Sequence, residues 1–228
     1  MGEYDGHRGR LRERFLGTGL DGFHDHEALE LLLFYALPRI DTKQLARSLI
    51  DRFGSFNAVF DAPAEELKRV KGVGPNAAML IKLILPLNRH YLLAQNRDVK
   101  ILNSTEKAGR HLIPLFHAEL DEVVYMLCFD AKYKLLSSRR MFRGSVSSAN
   151  ISVRKIVEHA LEANAVSVII AHNHISGTAR PSREDQEATS RIASALKAID
   201  ITLADHIIVV GDDYISMADL GFMTNAGV

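Results

Sequence analysis

The chain has 228 residues, with 28 Lys and Arg against 28 Asp and Glu, and 47% hydrophobic side chains. This is a soluble, globular composition, long enough for one large domain or two small ones; the zero net charge argues against nucleic-acid binding driven by the whole protein, though not against a local basic patch. One cysteine, Cys128, excludes an intramolecular disulfide and a zinc-finger framework, and suits a reducing compartment.

The first residues, Met1 to Asp5, are polar and lead into no apolar signal-peptide core. No apolar run is long enough to span a bilayer, so a cytoplasmic protein is expected. Residues 1–97 read as nearly all helical. A basic opening segment, His7 to Phe15, reads as a solvated helix face, with a phosphate contact as the alternative. An apolar helix from Asp25 to Tyr35 stops before Pro38. Asp41 or Thr42 caps the next, with Leu45, Leu49 and Ile50 on one face and a stop near Gly54. Asn57 to Phe60 form a short element, and Pro63 starts another helix.

Leu67 to Ile81 reads as helix, a tight Gly72-Val73-Gly74 turn, then a second helix with Pro75 in its first turn. Free N–H groups at such a helix start can hold a phosphate oxygen, and Lys68, Arg69 and Lys71 precede the turn. Over about twenty residues (64–86 at its widest) the segment resembles the helix-hairpin-helix motif of many DNA-repair proteins. That resemblance implies backbone contacts through Lys71, Gly72, Gly74 and Asn76; a hairpin used only for packing is the competing reading. Residues 1–97 carry 14 basic and 12 acidic side chains, so any DNA binding is expected to be weak, sequence-independent and salt-sensitive. Pro86 should kink or end the helix there, Leu87 to Gln95 reads as its helical continuation, and Asn96 to Val99 marks the expected domain boundary.

The second domain is expected over 104–228. Ser104 or Thr105 caps a helix to about Leu115. Val123 to Phe129 reads as a central strand that holds Cys128 as an inert core residue. A turn at Asp130 to Lys134 leads to a returning strand, Leu135 to Phe142. A helix then carries Ile156, Val157, Ala160 and Leu161 inward. Val166 to Ile170 is a buried strand ending at His172. Asp185 to Ile199 is helical, Ile207 to Val210 another buried strand, and Tyr214 to Met217 an edge strand. The order β-β-α-β-α-β-β gives an α/β domain, a mixed sheet flanked by helices, behind an all-α module.

The chemistry concentrates between the third and fourth strands. His172 and His174 are two apart, so on a strand both imidazoles point to one face. Asp185 falls in the first turn of the next helix. Two imidazoles and one carboxylate suit Zn²⁺ with a fourth position open, as in catalytic rather than structural sites. Ser182-x-x-Asp185 is also close to a capping box, a purely structural role compatible with ligation. Asp205-His206, before a buried strand, reads either as support behind the metal or as a satisfied core pair.

His172-x-His174, seven residues, Ser182, two residues, Asp185 is similar to the JAMM motif of MPN-domain zinc metalloproteases. The wider chain resembles the RadC family over nearly its whole length, through Arg143-Gly144-Ser145, His172-Asn173-His174, Ser176-Gly177, Pro181-Ser182 and Asp205-His206-Ile207-Ile208. Ile175 departs from the proline usual there, which bears on the loop and on substrate preference. The resemblance implies one Zn²⁺ held by His172, His174 and Asp185. It implies Glu122, at the start of the first strand, as general base and later acid, with Glu119 the runner-up. It implies Ser182 as a donor to the attacking water or the developing oxyanion. The expected function is a zinc-dependent hydrolase of the metallopeptidase or isopeptidase type, in a DNA-repair context, acting on an unidentified peptide or protein. The alternatives are a metal-dependent nuclease or DNA-processing protein, and a non-enzymatic DNA-binding adaptor.

Overall fold

The structure, a computed structural model, describes residues 3–95, 101–117, 119–144, 152–175 and 180–223. The expected boundary at Asn96 to Val99 and the motif residues Ser145, Ser176 and Gly177 lie outside these. The chain divides into two units, Met1–Asn88 and Arg89–Val228.

The first unit is all helical: α1 (Glu3–Thr18), α2 (Asp25–Ala36), α3 (Thr42–Phe53), α4 (Phe56–Asp61), α5 (Ala64–Lys68) and α6 (Pro75–Gln95), the last running past the division between units. Leu29 and Leu33 of α2, Leu45 and Leu49 of α3, Val59, Leu67, Ala77 and Ile81 form its core. Asp41 caps α3 by accepting from Lys43 N, and Gly54 ends it at φ +92°. The opening basic segment is structural in part. Arg8 is buried and donates to the carbonyls of Leu37, Pro38 and Ile40, fastening α1 to the turn after α2. Pro86 does not end α6. It lies on an exposed stretch, and the one backbone hydrogen bond a proline forfeits does not stop the helix, which continues to Gln95.

In the second unit Ser104 Oγ accepts from Lys107 N and caps α7 (Thr105–Phe116). There follow β1 (Val123–Phe129), β2 (Leu135–Arg143), α8 (Val153–Glu162), β3 (Ser167–Asn173), α9 (Arg183–Lys197), β4 (Thr202–Val210) and β5 (Asp213–Ser216). They make one sheet in the order β2-β1-β3-β4-β5. β3 and β4 run parallel, joined through α9; the other neighbours are antiparallel. The expected mixed sheet with flanking helices is present.

Both faces of the sheet are covered, which is why β1 and β3 are apolar along their length instead of alternating. Val124, Met126, Cys128, Val168 and Ile170 face Ile156 and Ala160 of α8 and Ala188, Ile192 and Leu196 of α9. Val123, Tyr125, Leu127, Phe129, Ile207 and Val209 share the opposite face with Leu112 and Phe116 of α7. Gly109 lets α7 lie against β5: a Cβ there would sit 2.4 Å from the Tyr214 ring. The even-numbered positions of β3 thus look toward α8 and α9. His172 continues that row, and the start of α9 lies on the same side.

Candidate metal centre

β3 and α9 bring His172, His174 and Asp185 together, with one ligating atom of each within 4.8 Å of the others. His172 Nε2 lies 2.9 Å from His174 Nε2 and 3.3 Å from Asp185 Oδ1, and His174 Nε2 lies 3.6 Å from Asp185 Oδ2. Donors of one tetrahedral zinc site at about 2.0–2.1 Å from the ion stand about 3.3 Å apart; the two imidazole nitrogens and the two carboxylate oxygens lie close enough together for one oxygen and both rings to share an ion. His172 and Asp185 are buried, at 1% and 2% exposure. His174 is half-buried, so the group is less enclosed on its side.

Burial holds the His172 ring well below the ordinary imidazole pKa, reinforced by the neighbouring His206 and His174 rings. His206 is pushed down to about 4, chiefly by burial, with Asp185 opposing and His174 adding. Both rings are therefore neutral near pH 7, as metal ligation by imidazole requires. The His172–Asp185 contact is then no salt bridge. A carboxylate beside neutral imidazoles, shut away from water, is a site for a cation.

Asp185 is also the capping residue that the spacing suggests. Ser182 Oγ donates to Asp185 Oδ2 at 2.6 Å, Ser182 N donates to the same oxygen at 2.8 Å, and Asp185 N donates back to Ser182 Oγ at 3.0 Å. The cap and the ligand are thus one group, and Oδ2 is the oxygen the cap occupies. The Ser182 hydroxyl proton points to Asp185 here, not to an open position.

Two features of the surroundings have only faint sequence signals. Asn173, between the histidines and on the opposite face, accepts from Val123 N at 2.7 Å and donates to the Asp121 carbonyl at 3.1 Å. It clamps the backbone on either side of Glu122. Thr189, one turn after Asp185, hydrogen-bonds both the Asp185 carbonyl and His206, whose Nε2 is 2.8 Å from His172 Nδ1. Its signal is the i, i+4 spacing from Asp185. Asp205 is engaged with the backbone of His206 and Ala218 and the Ser216 hydroxyl, so it organises the chain after β5 and not the metal ligands.

The two candidate glutamates separate clearly. Val124 opposes His172 across β1 and β3, and continuing that register sets Glu122 opposite His174, on the same face as both histidines. Glu122 is half-buried, and its carboxylate has no partner among the described residues. Glu119 accepts from Arg89 at 3.0 Å and lies 3.4 Å from Arg140.

In the first unit, Arg69 to Gly74 joins α5 to α6, with Gly72 at φ +98°. Lys71, Gly72 and Asn76 are exposed and Gly74 half-buried. Lys68 pairs with Glu65 at 2.7 Å, and Arg69 with Glu66. Two of the three cations before the turn are thus matched by acids of α5.

A mixed five-stranded sheet with a His-x-His strand end and a carboxylate opening the next helix is the architecture of a JAB domain, and residues 102–222 match the family model described as RadC-like JAB domain. Over 214 residues the chain is 33% identical to a UPF0758 protein of Pseudoalteromonas atlantica, covering 94% of this chain and 96% of that one. The chain belongs to the RadC family.

Proposed function

We propose that the protein is a zinc-dependent hydrolase of the JAMM type, acting on an amide or isopeptide carbonyl. The observation that carries this is the convergence of His172 Nε2, His174 Nε2 and the Asp185 carboxylate within 4.8 Å of one another, with strand register setting Glu122 opposite His174. His172, His174 and Asp185 would hold the ion. When bound, it supplies Lewis acidity and makes water at the site acidic enough to attack near neutral pH. Glu122, set opposite His174 by the strand register and with no partner for its carboxylate among the described residues, would take the proton from the attacking water and return it to the leaving nitrogen. Ser182 holds the Asp185 carboxylate through Oδ2. Asn173 fixes the backbone that carries Glu122. Glu119 has no such part, being committed to Arg89 and Arg140.

The exposed turn at Lys71 to Asn76, ahead of the 21-residue α6, supports a second, subordinate reading: weak, sequence-independent contact with a nucleic-acid backbone, which would place the hydrolase in a DNA context.

The test is metal content by mass spectrometry, followed by turnover of a peptide library and of DNA. About one zinc per chain, lost in the His172→Ala/His174→Ala double variant, with metal-dependent cleavage of peptides only, is the expected result. Cleavage of DNA instead would make the protein a nuclease. Absence of metal binding would remove the hydrolase reading and leave the hairpin as the guide to a DNA-binding adaptor.

A further inference from the structure

We propose that Thr189 and His206 are positioning residues that hold the His172 ring in the one neutral tautomer able to ligate a metal through Nε2. The inference deepens the metal-site reading above and rests on it. It follows from counting protons along a buried chain. Thr189 Oγ1 lies 2.6 Å from the Asp185 carbonyl oxygen and 2.5 Å from His206 Nδ1. A hydroxyl has one proton, and a carbonyl has none. The Thr189 hydroxyl therefore donates to the Asp185 carbonyl, and its lone pair is left facing His206 Nδ1. The Met217 sulfur, 3.7 Å away, is a weaker acceptor and does not compete.

His206 Nδ1 must then carry the ring's single proton, which makes Nε2 the acceptor. That Nε2 faces His172 Nδ1 at 2.8 Å, so His172 carries its proton on Nδ1. Its Nε2 is left with a bare lone pair, directed at His174 and Asp185. The reversed chain, with Thr189 donating to His206, would leave the Asp185 carbonyl without this donor and put a proton on the very nitrogen that must ligate.

Thr189, His206 and His172 are exposed by 2%, 0% and 1%, so no solvent stands in for a missing link. The chain starts on the backbone of one ligand, on α9, and ends on the ring of another, on β3. It thereby ties the ring state of His172 to the placement of Asp185.

The experiment uses the full chain with Thr189→Val, which removes the hydroxyl at nearly constant volume, and Thr189→Ser, which restores it. Two quantities are read. Long-range ¹⁵N NMR of the metal-free protein near pH 7 reports which ring nitrogens bear protons. Chelator competition reports zinc affinity. The wild type is expected to show Nδ1–H on both His172 and His206. The valine variant is expected to shift His206 and His172 toward Nε2–H and to bind zinc about 10–100-fold more weakly, the usual cost of losing an outer-shell partner. The serine variant should restore both. A threonine that serves packing alone would change thermal stability and leave the tautomers in place.

Wild-type His172 with its proton on Nε2, or a valine variant with unchanged tautomers and affinity, would overturn the proposal. If the valine variant does not fold, the wild-type spectrum still decides the direction of the chain. Failure of the wild type to bind zinc would refute the metal reading instead, while the tautomers of the metal-free protein are read all the same.

Discussion

The two candidate sites begin alike and are built differently. Each is a short turn that opens a helix, at Gly72 to Pro75 and at Pro181 to Arg183. At the start of α9 the Ser182 and Asp185 side chains are partnered against the core, while Arg183 and Glu184 face outward. The cap binds the ligand carboxylate, Thr189 binds its carbonyl, and the neighbouring strand supplies two imidazoles. At the start of α6 the polar groups face water, and the nearest cations are matched by glutamates of α5. Chemistry that requires three donors at fixed separations is confined to a low-dielectric layer between sheet and helix. Contact with a mobile, charged backbone needs only an exposed turn and tolerates partly neutralised charge.

The largest effect expected of this contrast is at Glu122. Glu122→Gln should keep zinc, measured by mass spectrometry, and lower peptide turnover by about 10²–10⁴-fold, the contribution of a general base. Glu119→Gln should leave turnover within about threefold and reduce thermal stability, because Arg89 and Arg140 lose their shared carboxylate. Equal losses of turnover in both variants would erase the distinction drawn between them.

Leu49 is fully buried in the helical unit. Leu49→Ala should cost about 2–5 kcal/mol in denaturant unfolding and leave zinc content unchanged, because the metal ligands are held by the core of the other unit. Loss of zinc in the folded variant would show that the two units are not energetically separate.

Ser182→Ala removes an N-cap and one of the bonds on Asp185 Oδ2. A loss of about 1 kcal/mol in unfolding is expected from the cap, together with weaker zinc binding by chelator competition. A loss of stability with unchanged affinity would reduce Ser182 to its structural role.

The smallest effect belongs to the hairpin. Glu65→Gln/Glu66→Gln frees Lys68 and Arg69 and should raise affinity for duplex DNA about two- to fivefold at low salt, with a steeper salt dependence. Lys71→Glu should weaken it. Fluorescence anisotropy indifferent to both changes would leave the hairpin as a packing element.

Local patterns in the chain were enough to read the element order of the second unit, the apolar strands buried on both faces, and the three metal-ligand candidates. These are written in local spacing: an i, i+2 pair on a strand and a carboxylate in a helix's first turn. The sequence also located Ser182 and Asp185 as a cap, since a capping box is a property of four consecutive residues. It left open whether Pro86 kinks or ends its helix and read Leu87 to Gln95 as the continuation; α6 runs through Pro86 to Gln95, since one missing backbone hydrogen bond does not stop a helix. It could not choose between Glu122 and Glu119 by local spacing; strand register and the ion pairs of Glu119 separate them. The sequence offered Asp205-His206 as support behind the metal without saying which residue faces it; the folded contacts assign that place to His206, add Thr189 behind it and put the Asn173 amide against the loop of Glu122. Those contacts join residues 17 to 50 positions apart, and no local period records which distant donor will face which acceptor once water has been excluded.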